Sequence, residues 1–295
     1  MHALFSFIEK RLFELTKQPF TIQKIQPVSG GDINQAYYLQ GQRQGYFLKY
    51  NRAEFIHFFA GEFIGLQQLK QTQTIQVPHA IDYGQYNQYS YLLMDYIPFA
   101  KITPAAERLL GRQLAQLHQI PQTFFGWHTD NTLGSTLQIN TPCEDWLTFW
   151  REYRLKFQLN LSCQNGYSDK LQVLGEQLIA AMPQLFSEYK PRPSLLHGDL
   201  WGGNWAVNTQ GQPVIFDPAC YYGDRETDLA MTSLFGGFGA AFYAGYQEVW
   251  ALDSGYQHRR DFYNLYHLLN HLNLFGGSYE HSATQIMTRL LAGLS

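Results

Sequence analysis

The chain has 295 residues, 45% hydrophobic and 15% charged, with 21 Lys and Arg against 24 Asp and Glu for a net charge of −3. That length exceeds what one compact core usually holds, so two lobes are expected, and the apolar content excludes a disordered chain. The slight acidic excess excludes a broad nucleic-acid surface, yet leaves room for a small anionic ligand held by one or two local cations. Three cysteines, Cys143, Cys163 and Cys220, lie far apart with no C-x-x-C spacing. This fits reduced thiols better than a disulfide framework and offers no zinc site. The N-terminal apolar stretch is broken by Glu9, Lys10 and Arg11, which is not the pattern of a signal peptide. Leu229 to Gln247 carries no charge but contains four glycines, so it reads as a buried helix and turn, not a membrane span. A cytoplasmic protein without nucleic-acid or membrane partners is expected.

In chain order, residues 20–50 alternate short β-like runs with turns at Ser29 to Asn34 and Gly41 to Gly45. From Arg52 to Lys70, apolar residues fall at Phe55, Phe59, Phe63, Leu66 and Leu69, the spacing of an amphipathic helix. Tyr89 to Ile97 is an apolar strand ended by Pro98. Thr103-Pro104 then opens a helix with a capping hydroxyl and proline at the first helical position. Leu110, Leu114 and Leu117 mark one face of that helix. Further helices are expected over 145–160 and 168–182, two short strands over 204–208 and 213–217, and an aromatic-rich helical tail from Thr227. The expected architecture is α+β and bilobal: a small antiparallel β-rich lobe over 1–96, a hinge near 95–97, and a larger, mainly helical lobe over 97–295.

The densest chemistry lies in LLHGDLWGGNWAVNTQGQPVIFDPACYYGDRETDLAM, residues 195–231. Asp199 and Asn204 stand five positions apart in a loop, and Asp217 ends a strand. A carboxylate beside a substrate hydroxyl accepts its proton, while an amide oxygen and a second carboxylate suit Mg²⁺, which prefers hard oxygen ligands. Phosphoryl transfer needs that set, and H-x-D-x-x-x-x-N followed by a strand-terminal Asp matches the kinase catalytic pattern. Any one such residue alone is more often a turn former or cap; the spacing of three carries the argument. His197 reads as a structural residue of the loop.

The β-rich half supplies the other parts. Lys49 ends an apolar strand, where kinases place the lysine that binds ATP phosphates. Glu62 on the following helix is the expected ion-pair partner, with Glu54 as competitor. Ser29, Gly30, Gly31 and Asn34 belong to a turn whose amides are expected to cradle phosphates. Met94, Asp95, Tyr96 and Ile97 form the hinge strand whose backbone would pair with adenine. Trp201, two residues after the base, is expected to wall a sugar ring unless it belongs to the core, with Tyr221 and Tyr222 close behind Asp217. Asp224 or Glu226 would recognise an amine, unless they pair with Arg225.

On HGDLWGGN (197–204) and FDPACYYGDRETDLAM (216–231), supported by SGGDIN, LLMDY and LAQLH, the whole chain resembles the fructosamine kinase, or ketosamine kinase, family. That family lies within the kinase-like clan that includes aminoglycoside and choline kinases. The resemblance implies a protein-kinase-like fold, ATP and Mg²⁺. It implies phosphorylation of the 3-hydroxyl of a ketosamine sugar, an unstable ester that eliminates to free the amine. Trp201, Tyr221, Asp224 and Arg225 are the candidate substrate residues by their places around Asp199 and Asp217. Unlike protein kinases, the chain has Gly198 in place of the loop arginine, and Pro218-Ala219 after Asp217. An aminoglycoside- or choline-type kinase is the enzyme alternative. A nucleotide-binding pseudokinase is the non-enzyme one, weakened by the intact Lys49, Asp199, Asn204 and Asp217.

Overall fold

The computed structural model describes residues 2–28 and 33–294. The chain opens with α1 (His2–Thr16), which buries Leu4, Phe5, Ile8 and Leu12. The strands β1 (Lys24–Pro27), β2 (Gln35–Gln40) and β3 (Gly45–Arg52) follow, then α2 (Ile56–Thr72), β4 (Ala80–Tyr86) and β5 (Tyr89–Asp95). These strands form one antiparallel sheet in the order β1-β2-β3-β5-β4. Alternation of side chains along β3 explains both its faces. Tyr46, Leu48 and Tyr50 pack with α1 in one core, together with Tyr91 and Leu93 of β5. Phe47 and Lys49 point the opposite way, toward α2 and the rest of the molecule.

The chain then makes β6 (Phe99–Ala100) and α3 (Pro104–Gln119), whose Thr103 side chain accepts from the Ala106 amide. A small hairpin, β7 (Asn131–Leu133) and β8 (Thr136–Gln138), precedes α4 (Trp146–Trp150), a π-helical turn at Arg151–Leu155, and α5 (Lys156–Gln164). After α6 (Asp169–Ala181) come β9 (Pro193–Leu196), β10 (Trp205–Asn208), β11 (Pro213–Ile215) and β12 (Tyr221–Asp224). Here β12 pairs with β9, and β10 lies between β11 and β6. The chain closes with α7 (Glu226–Leu234), α8 (Ala240–Val249), α9 (Tyr256–Phe275) and α10 (Tyr279–Leu294).

The second core runs from Phe59, Leu66, Leu92 and Met94 through Leu110, Leu114, Trp150 and Leu196 to Phe262, Leu269 and Met287. It joins the inner face of the five-stranded sheet to the helices. The uncharged stretch at 229–247 folds as α7, a glycine turn and α8. Among the described residues no helix is long and apolar enough to cross a membrane. All three cysteines are free thiols.

Candidate active site

A cavity of about 960 Å³ lies between the inner face of the sheet, the 197–204 loop, the 216–219 segment and the ends of α9 and α10. Among the described residues that line it, Lys49 is the only lysine or arginine. Lys49 is 7% exposed, and its Nζ donates to Glu62 at 2.7 Å and also to Asp217. Burial alone would lower the lysine's pKa, but the two carboxylates override it and raise it. Burial pushes the Glu62 carboxyl up against the pull of Lys49, with Asp217 adding to the push. Glu54 instead pairs with Arg52 at 2.7 Å, both side chains more than half exposed.

The 197–204 loop leaves the end of β9 and is held from below. Asp228 of α7 accepts from the backbone amides of His197 and Gly198 at 2.8 Å each, and from His118 Nε2 at 3.1 Å. His197 is fully buried; its Nε2–H donates to the Phe216 carbonyl at 2.9 Å, and its Nδ1 accepts from the Asp199 amide at 3.3 Å. Burial lowers its pKa, so it serves as a neutral strut. Gly198 has φ of +82°, and a Cβ there would lie 2.1 Å from the Ala219 carbonyl oxygen. Neither the long arginine of protein kinases nor any other side chain fits.

Asn204 spends its Nδ2 on Asp199, donating to the carbonyl at 2.8 Å and to Oδ2 at 3.1 Å, which leaves its Oδ1 for another partner. Burial raises the Asp199 carboxyl to about 7, with the Asp217 charge adding to the rise and the Asn204 bond opposing it. Asp217 follows β11 at φ of +59°, a costly conformation for a residue with a Cβ. Among the described residues no group of three or more His, Cys, Asp or Glu is arranged for a metal. One carboxylate and one amide oxygen fit Mg²⁺, which completes its shell with phosphate and water, better than zinc.

Met94, Asp95, Tyr96 and Ile97 all line the cavity, as do Val28, Ala36, Phe47 and Asn34. Met94 is buried, whereas Tyr96 is partly exposed and stacks on Tyr38 with ring centroids 4.0 Å apart. The Tyr96 amide is taken by the Gly45 carbonyl and the Asp95 amide by that of His79. Ile97 is left, among the described residues, with an uncommitted amide. Asn34 Oδ1 accepts from Asn51 at 2.9 Å. Ser29, Gly30 and Gly31, with Asp32, lie outside the described residues.

The expected substrate residues divide. Trp201 lines the cavity and is 40% exposed, its ring lying over Gly203, where a Cβ would meet it at 2.3 Å. Tyr221, Asp224 and Arg225 do not line it, which corrects the expectation that they meet a substrate. The pairing of β12 with β9 buries both faces of that strand. Tyr221 is 4.3 Å beneath the Arg154 guanidinium, and Asp224 accepts from Tyr189 at 2.8 Å and Tyr263 at 2.5 Å. Arg225 donates to the carbonyls of Trp250 and Ala251, while Glu226 pairs with Arg259 at 2.7 Å. Tyr222 is likewise buried and bonded to Gln68.

Sequence reasoning missed the far wall of the cavity, formed by Phe235, Asn270, His271, Leu274, Phe275 and Tyr279. The His271 ring lies 4.7 Å from Phe235, 5.6 Å from Phe275 and 5.3 Å from Tyr279. Its Nδ1–H donates to the His267 carbonyl at 2.8 Å, and burial lowers its pKa. The available signal was the four-residue step from His271 to Phe275 ahead of Gly276-Gly277. Phe275 and Phe235 stay 54% and 40% exposed, and with the exposed Phe99 and Trp201 they give the cavity an aromatic rim.

The fructosamine kinase family model matches residues 4–293. A probable ketoamine kinase of Synechocystis is 45% identical over 96% of both chains. The chloroplastic protein-ribulosamine 3-kinase of Arabidopsis thaliana is 43% identical over 90% of this chain and 82% of its own. A provisionally named fructosamine-3-kinase of Haemophilus somnus, whose structure is solved, is 28% identical with a TM-score of 0.88 over 97% of this chain and 99% of its own. The α+β arrangement is thus the protein-kinase-like fold, and the chain belongs to the fructosamine kinase family.

Proposed function

We propose that this protein transfers the γ-phosphoryl group of ATP to the 3-hydroxyl of the ketose in a ketosamine, of fructosamine or ribulosamine type. The observation that carries the reading is the convergence of Lys49, Glu62, Asp199, Asn204 and Asp217 on one cavity, within a chain of this family. ATP would lie against Val28, Ala36, Phe47 and Met94, with its adenine edge at Asp95 to Ile97 and its phosphates at Lys49. Residues 1–96 would then act as the nucleotide lobe and 97–295 as the catalytic and substrate lobe.

Asp199 accepts the proton of the attacking hydroxyl as the new oxygen–phosphorus bond forms and the bond to the ADP oxygen breaks. A carboxyl with a pKa of about 7 is matched to that task at neutral pH. Asn204 fixes the carboxylate's orientation through the bond to Oδ2, and Lys49 holds the phosphates in line. Mg²⁺ would be held by Asp217 and Asn204 Oδ1, where it supplies neutralisation of phosphate charge. The ketose would pack against Trp201 and the aromatic wall at His271, leaving its amine toward the open rim. That arrangement accepts many amines, including lysines on a protein surface. The 3-phosphate ester then eliminates and releases the amine, so the role is deglycation. A cytoplasmic location fits the free thiols. The test is ADP release with fructosyl- and ribulosyl-lysine as Mg²⁺ is titrated. Metal-dependent ADP formation matched by a sugar 3-phosphate supports the reading, and ATP hydrolysis independent of the ketosamine contradicts it.

A further inference from the structure

Two backbone carbonyls just beyond Asp217 are taken by the side-chain amides of the β7–β8 hairpin. Asn131 Nδ2 donates to the Cys220 carbonyl at 2.8 Å, and Gln138 Nε2 donates to that of Ala219 at 3.1 Å. The two amides are cross-strand partners, and Gln138 Nε2 also donates to Asn131 Oδ1 at 2.8 Å. Both residues are at least 95% buried, where an unpaired amide is costly. We propose that Asn131 and Gln138 are positioning residues that hold the Asp217 carboxylate in place for the metal–nucleotide. This rests on the kinase reading above.

The polarity of the network is fixed from its far end. Arg154 is fully buried and, among the described residues, pairs with no carboxylate, donating instead to the carbonyls of Ile139 and Tyr153 and to Asn140. A guanidinium only donates, so its 2.7 Å bond sets Asn140 Oδ1 as an acceptor. Asn140 Nδ2 must then donate, and does so to Asn131 Oδ1 at 3.0 Å. That leaves Asn131 Nδ2 as the donor to Cys220. From the other side Tyr266 donates to Gln138 Oε1 at 2.9 Å, which turns Gln138 Nε2 toward Ala219. A buried arginine without an acid thus orients a run of amides that ends on the Asp217 segment.

The same hairpin touches the helix that carries Glu62. A Cβ on Gly61 would lie 2.8 Å from Asn131 Cβ, so α2 rests directly on Asn131. Asn131 therefore contacts the supports of both carboxylates that share Lys49. The catalytic loop is tied in as well, because the Ala219 amide donates to the His197 carbonyl at 2.8 Å. Asp217 lies two residues before Ala219 at a strained φ. Loosening these carbonyls lets the strained residue relax and its carboxylate move.

The test compares Gln138→Met, Asn131→Leu and the milder Tyr266→Phe with the wild-type protein. Thermal unfolding first establishes which variants fold. Outer partners of metal ligands are generally worth about 10–100-fold in metal affinity or activity. The expected result is a rise of that order in the apparent Mg²⁺ constant for the first two variants and about threefold for Tyr266→Phe, with the ketosamine KM within about twofold for Gln138→Met and Tyr266→Phe, whose residues do not line the cavity as Asn131 does. Amide exchange at Ala219 in the metal-free protein should accelerate in parallel. A folded variant with an unchanged Mg²⁺ constant and unchanged Ala219 exchange overturns the proposal. If Gln138→Met and Asn131→Leu do not fold, Tyr266→Phe decides on the same two readouts. A wild-type protein inactive on every ketosamine overturns the kinase reading alone, and faster Ala219 exchange in the variants still supports the strut.

Discussion

The Lys49 ammonium lies 2.7 Å from the Glu62 carboxylate while it also donates to Asp217, so two acids share one buried cation. Removing it leaves carboxylates facing each other without compensation. Lys49→Met should cut turnover at least about 100-fold, the scale of losing a preorganised charge at a reacting phosphate. It should also lower the unfolding midpoint, since breaking a buried pair costs about 3–5 kcal/mol. Glu62→Gln should act in the same direction but more mildly, by letting the lysine wander. Calorimetric unfolding and steady-state kinetics check both, and a Glu62→Gln effect larger than that of Lys49→Met would reverse the assigned roles.

Asp199→Asn keeps the shape of the loop but removes the proton acceptor. Turnover should fall about 10²–10⁴-fold, while nucleotide affinity, measured by calorimetry, stays within a few-fold of wild type. Retention of more than a tenth of the activity would rule Asp199 out as the base.

The raised Asp199 carboxyl has consequences for both rate and stability. Burial first, and then the Asp217 charge, lift it to about 7. The ionised form is the active one, so kcat/KM should climb with pH through a limb at or somewhat below 7. A cation held by Asp217 would shift that limb downward. For stability the sign is opposite. The folded state keeps a proton that the unfolded chain releases near pH 4, so stability is lost as pH rises between about 4 and 7. Asp199→Asn should therefore unfold at a higher temperature than wild type at pH 8 and show a smaller difference at pH 5. An unfolding midpoint at pH 8 below that of wild type contradicts this.

Gly198→Ala should disable the enzyme without touching any reacting group. The added Cβ meets the Ala219 carbonyl oxygen at 2.1 Å and sits on a backbone with φ of +82°. Either the loop or the 217–220 segment must move, and both carry assigned site residues. The expected outcome is loss of more than nine-tenths of activity with a lowered unfolding midpoint. Unchanged kinetics would show that the loop tolerates displacement.

The sequence carried the catalytic loop well because its chemistry is local: Asp199 and Asn204 are five residues apart, and their hydrogen bond spans one turn. Lys49 was readable as a charge within an apolar run, although β3 continues past it to Arg52 instead of ending there, and Glu62 was readable from its mid-helix place. Tyr221, Asp224 and Arg225 mislead because they are close to Asp217 in sequence yet buried away from the cavity. Whether β12 faces the cavity depends on its pairing with β9, some 27 residues earlier, and no local pattern encodes that. The aromatic wall at His271 and the Asn131–Gln138 hairpin were missed for the same reason. Each meets the site only through tertiary packing with segments about 70 to 140 residues away. The helix α1 has a local signal, since Leu4, Ile8 and Leu12 repeat at helical spacing, but Glu9, Lys10 and Arg11 break up its apolar stretch.

The most direct test of the central claim is ³¹P NMR of the product formed from ATP, with the sugar and the amine varied in turn. Fructosamines and ribulosamines of different amines should all give a sugar 3-phosphate that decays to free amine. Trp201→Ala should lose discrimination among sugars, and Asp199→Asn should give no product. Phosphorylation that follows the amine and ignores the sugar, as with aminoglycosides or choline, would contradict the account.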